Sequence, residues 1–79
     1  MPHTITIDLH TQTAESARKL LTSRLKSLPK EVKEEVVVHG YHGGTVLRDM
    51  VRGYKNPKIE RKIIGLNMGE TIYIIKQQK

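Results

Sequence analysis

Cysteine, tryptophan and phenylalanine are all absent from this 79-residue chain, and three tyrosines are its only aromatic residues. Without thiols there is neither a disulfide framework nor a thiolate zinc site. That absence leaves the redox compartment open, with a reducing cytoplasm as the default for so bare a domain. Any core must be essentially aliphatic. The longest purely apolar run covers residues 72–75, far short of the roughly 20 residues that cross a bilayer. The N-terminus, Met1-Pro2-His3-Thr4, lacks the basic and apolar regions of a secretion signal. Together these features predict a soluble, cytoplasmic protein with no membrane partner.

Acid is the scarcer charge: 8 Asp and Glu stand against 14 Lys and Arg, for a net charge of +6. The excess is uneven. Residues 1–44 hold six basic against five acidic side chains, whereas residues 45–79 hold eight against three. A basic second half predicts a polyanionic partner, nucleic acid first. The length allows a single domain over residues 1–79, with a core spanning about 4–76.

Residues 4–9 alternate, placing Ile5, Ile7 and Leu9 on one face of a strand. Thr13 is a good N-cap for a helix that repeats Ala14, Ala17, Leu21, Leu25 and Leu28 at helical steps and is closed by Pro29. Residues 30–35 read as a charged loop. Val36-Val37-Val38 is a β-branched run suited to an interior strand. Thr45 can cap a second helix with Val46, Leu47, Met50, Val51 and Tyr54 inward, ended by Gly53 and Asn56-Pro57. Residues 58–66 and 71–76 read as strands joined by the hairpin signal Asn67-Met68-Gly69-Glu70. The expected fold is α/β in the order β-α-β-α-β-β. It is a two-layer sandwich with a four-stranded mixed sheet and both helices on one face. The first two strands should be parallel, the last two antiparallel.

Two motifs about thirty residues apart, Ile7-Asp8-Leu9-His10 and Val38-His39-Gly40-Tyr41-His42-Gly43-Gly44, each end a strand. One β-α-β unit would bring both to the same end of the sheet. Imidazoles titrate near neutrality and can serve as acid or base, and a carboxylate can orient one of them. Asp8, His10, His39 and His42 are therefore the candidate catalytic residues. Gly40, Gly43 and Gly44 open the backbone before a helix N-terminus, a plausible phosphate cradle. Arg48 and Arg52 can add charge-assisted contacts, and Tyr41 can stack on a base. Lys55, Lys58, Arg61 and Lys62 extend the positive surface. No metal is assigned, because structural zinc wants four firm ligands; a divalent ion is compatible with Asp and His but not required.

These residues, in this order and spacing, resemble the small MutS-related (Smr) domain family across residues 4–76. The first motif matches that family's Leu-Asp-x-His-Gly, with Thr11 where Gly is usual. His39-Gly40 matches the start of its second motif, here one residue longer with His42 at a common Gly position. Leu47-Arg48 and residues 71–75 match the later segments. The resemblance implies a β-α-β-α-β-β sandwich that binds nucleic acid and acts as an endonuclease, cleaving RNA or nicking DNA. It implies RNA ahead of DNA as partner, with the ribosome as a further association. By position it assigns roles to Asp8, His10, His39 and Gly40. The lengthened loop keeps an alternative open: a non-catalytic module associated with nucleic acid or the ribosome.

Overall fold

A capping box starts the helix α1 (Ala14–Lys26). Ser16 donates its backbone N–H to Thr13 Oγ1 at 3.1 Å, and Thr13 donates its own to Ser16 Oγ at 3.1 Å. A cap of this kind contributes about 1 kcal/mol. Glu15 in the first turn and Arg24 and Lys26 in the last complement the helix dipole. Ala17, Leu21 and Leu25 recur every fourth residue and bury one stripe. These observations come from a computed structural model that describes residues 3–40, 45–65 and 69–77.

The remaining elements are β1 (Thr4–Asp8), β2 (Glu34–Val38), α2 (Val46–Gly53), β3 (Ile59–Ile64) and β4 (Glu70–Ile75), giving the expected β-α-β-α-β-β order. The four strands form one mixed sheet in the order β1-β2-β4-β3. β1 and β2 run parallel, which requires the crossover that α1 supplies. β4 pairs antiparallel with both β2 and β3, so β2 and β4 are the interior strands.

The pairing register sorts every strand residue to a face. Ile7, Val37, Thr71 and Ile64 form one row on the helix side, and Ile5, Glu35, Tyr73 and Lys62 form the next. Ala17, Leu21, Leu25 and Val51 from the two helices, with Tyr54 just past the end of α2, pack on these rows. The opposite face carries Thr6, Val36, Ile72 and Ile63 across its middle row and, among the described residues, has no helix over it. Asp8, Val38 and Glu70 make up the row at its upper end.

Several sequence expectations change. The interior strand begins at Glu34, so Glu35 lies inside the sheet and is fully buried rather than part of a charged loop. Val46, the first residue of α2, is exposed at 68% of its surface rather than inward. Thr45 stands at the N-cap position of α2, but its side chain makes no capping bond there. The core is not wholly aliphatic: Tyr54 and Tyr73 stack with ring centroids 6.3 Å apart. Their hydroxyls are satisfied, Tyr73 donating to the Val51 carbonyl at 2.6 Å and Tyr54 lying 2.7 Å from Thr22 Oγ1. Among the described residues no helix is long and apolar enough to cross a membrane.

Candidate functional site

Strand alternation aims Asp8 away from the core. Ile7 and Leu9 on either side of it are buried, and Asp8 stands on the uncovered face. The chain then turns. Asp8 Oδ1 accepts the backbone N–H of His10 at 3.0 Å, the local turn that aspartate favours, and lies 2.5 Å from His10 Nδ1. Both side chains remain more than half exposed, at 55% and 56%. The ring bond from His10, followed by its backbone bond, holds the Asp8 carboxyl below the usual carboxylate range. An ionised carboxylate only accepts, so Nδ1 carries the proton in this contact. In the neutral ring, Nε2 keeps its lone pair and faces away from Asp8. This is one anchored imidazole with one available nitrogen.

His39 takes the other side. It lies two residues beyond Val37 and follows it inward, leaving 3% of its surface exposed. Nδ1 is 2.9 Å from the Gly40 carbonyl and Nε2 is 3.0 Å from Thr71 Oγ1. His10 is thus exposed beside Asp8, whereas His39 is buried with both ring nitrogens within hydrogen-bond distance of partners.

Gly40 does meet the first motif. Its φ of +75° is left-handed, and a Cβ placed on it would lie 3.2 Å from His10 Cβ. The N–H groups of His39 and Gly40 both donate to the Gly69 carbonyl, at 2.9 and 3.0 Å. Gly40→Ala should therefore cost about 1–2 kcal/mol from backbone handedness alone. It should also displace the Asp8 and His10 resonances, because the new methyl presses on His10. Urea unfolding that shows no loss of stability would contradict this account of the crossing.

The expected cationic surface divides. Lys58 Nζ donates to the carbonyls of Leu25 and Lys26 at 2.7 and 3.3 Å, so it caps the C-terminus of α1. Lys62 Nζ donates to the Arg52 carbonyl at 2.9 Å, at the end of α2. Burial, and then the charge of Lys55, holds that ammonium below its ordinary range. Arg52 turns inward, its Nε donating to Thr71 Oγ1 at 3.2 Å. Arg48 pairs with its neighbour Asp49 at 3.3 Å. Lys55 and Arg61 are exposed and unpaired among the described residues. Arg61, in the row of Ile74 and Glu34, lies at the far end of the open face from Asp8.

Tyr41, His42, Gly43 and Gly44 lie outside the described residues. Among the described residues no three of His, Asp and Glu converge as a metal-binding set. Two residues of this end escaped the sequence reading: Thr71, which joins His39 to Arg52, and Gly69, whose carbonyl anchors the crossing. The available signal was Thr71 itself, the one polar residue in phase with buried Tyr73 and Ile75.

The four-stranded sheet, its two helices and the crossing at Gly40 make up a two-layer α/β domain with an Smr-like fold. The structure is similar to the crystal structure of the Smr domain of Thermus thermophilus MutS2, with a TM-score of 0.80 at 18% identity, over 90% of this chain and 96% of that one. No family model matches the sequence, and no curated protein matches it. At this identity the likeness is one of fold.

Proposed function

We infer that this domain binds nucleic acid in the manner expected of an Smr-type module, and that it cleaves RNA with His10 as general base. The observation that carries this reading is the exposed Asp8–His10 pair, anchored through Nδ1 and leaving Nε2 toward solvent. His10 Nε2 takes the proton of a ribose 2′-hydroxyl as that oxygen bonds to phosphorus. The bond from phosphorus to the 5′-oxygen breaks, the departing oxygen takes a proton from water, and the hydroxide so formed takes the proton held on His10 Nε2, which restores the neutral base. The products are a 2′,3′-cyclic phosphate and a 5′-hydroxyl. No metal is needed for this balance. The net charge of +6 supports the polyanionic partner, and RNA is favoured over DNA because the nucleophile is then part of the substrate. A cytoplasmic setting belongs to the same reading.

A second reading is a non-catalytic module that binds RNA, alone or on the ribosome. The sealed position of His39 favours it, since one of the two expected imidazoles is withdrawn from the surface. The two readings separate on one substrate pair. The wild-type chain is incubated with a short structured RNA, and with the same strand carrying a single 2′-deoxy nucleotide at the cleaved position. Cyclic phosphate ends from the first and an intact bond in the second support the nuclease. Equal cleavage of both rules out attack by the 2′-hydroxyl. Salt-sensitive binding without cleavage leaves the binding module, and no binding to either strand at low salt ends both readings.

A further inference from the structure

We propose that Thr71 is a positioning residue: through its hydroxyl, the Arg52 guanidinium fixes the tautomer of His39, and His39 in turn holds the Gly40 carbonyl and so the backbone against which His10 sits. The chemistry of each group dictates the direction of each bond. A carbonyl only accepts, so the His39 nitrogen 2.9 Å from the Gly40 oxygen, Nδ1, carries the proton. A guanidinium only donates, so Arg52 Nε gives its hydrogen to Thr71 Oγ1 at 3.2 Å. That leaves the threonine O–H free to donate across 3.0 Å to His39 Nε2, which in the neutral ring bears a lone pair. With the ring neutral, the series Arg52 to Thr71 to His39 to Gly40 is thus satisfied at every step, in one sense. Thr71 and His39 are 0% and 3% exposed, so solvent does not stand in for a missing member.

The consequence reaches the surface at Gly40. Its carbonyl is held by His39, its N–H by Gly69, and a Cβ built on it would lie 3.2 Å from His10 Cβ, closer than an ordinary contact. His39 thereby serves the site as a fixed bracket rather than as a proton carrier. Asn or Gln could not do the same, since neither places a donor and an acceptor on opposite edges of a rigid ring. The link to catalysis rests on the reading of Asp8 and His10 given above, whereas the tautomer does not.

The test is therefore read on the ring itself. Long-range 1H–15N correlation spectra of the full chain at neutral pH should show His39 protonated at Nδ1 and bare at Nε2, the less favoured form of a free neutral imidazole. Thr71→Val removes the donor to Nε2 and leaves only the Gly40 carbonyl to select the tautomer, so it should lower the share of the Nδ1-protonated ring and shift the Gly40 and His10 amide resonances, and Thr71→Ser should restore both. Arg52→Met should weaken the pattern without touching His39. A wild-type ring protonated at Nε2, or a pattern unchanged in a folded Thr71→Val chain, overturns the proposal. Should Thr71→Val fail to fold, the wild-type tautomer and the Thr71→Ser and Arg52→Met spectra still decide it. RNA cleavage enters none of these outcomes, so a chain that cuts nothing can still show the bracket.

Discussion

Glu35→Gln should make this domain more stable than the native chain at pH 8, and the advantage should shrink as the pH falls toward 5. Glu35 lies on the helix side of β2 between Ile5 and Tyr73, with none of its surface exposed. Neither carboxyl oxygen has a hydrogen-bond partner among the described residues. Burial raises the carboxyl from 4.5 to about 7, outweighing the charge of Arg24, which acts the other way. The folded state therefore holds the proton more tightly than the unfolded chain. Below about pH 4.5 both states are protonated and the full stability is present. As the pH climbs toward 7 the unfolded chain ionises freely while the folded one resists, and stability is lost. A shift of this size corresponds to about 2–3 kcal/mol between pH 5 and pH 8. In a domain this small that is roughly 10–20 °C in Tm. Glutamine cannot ionise, so the difference between variant and native chain should grow with pH by that amount. Thermal unfolding of both proteins at pH 5, 6.5 and 8 checks it; a constant difference would mean that Glu35 titrates like a surface carboxyl.

The same residue shows where sequence reading stops. In β1 the alternation Ile5, Ile7, Leu9 fixes which side is inward, and Asp8 between them falls on the other side. In β2 three consecutive valines erase that alternation, so nothing in the sequence decides between Val36 and Val37 for the core. The register with β1 decides for Val37, and parity then carries Glu35 and His39 inward with it. One undetermined phase thus hid both the buried acid and the true situation of the second histidine. The element order, the parallel first pair and the terminal hairpin were legible because turn residues and caps act locally. The placement of β4 beside β2 was not, since it depends on which faces bury most apolar surface. Lys58 and Lys62 read as a charge run, yet their partners are the free carbonyls at the ends of α1 and α2. Only tertiary geometry distinguishes a capping ammonium from a phosphate contact.

His10→Ala should lower the rate of RNA cleavage by about 10²- to 10⁴-fold, the range a positioned general base contributes, while leaving RNA affinity nearly unchanged. Asp8→Asn should behave differently. An amide oxygen can still accept both the backbone N–H and the ring Nδ1–H of His10, so the turn and the tautomer survive. What disappears is the negative charge that steadies the imidazolium once Nε2 has taken its proton. Both side chains are more than half exposed, and water screens such a pair, so the loss should be roughly tenfold rather than a thousandfold. Removing that charge also lessens repulsion of the phosphate backbone, so Kd should hold or fall while the rate drops. Single-turnover cleavage with saturating protein separates the two quantities. A His10→Ala chain that cuts at the native rate would show that the base lies elsewhere. An Asp8→Asn loss as large as that of His10→Ala would show that the carboxylate does more than hold a ring.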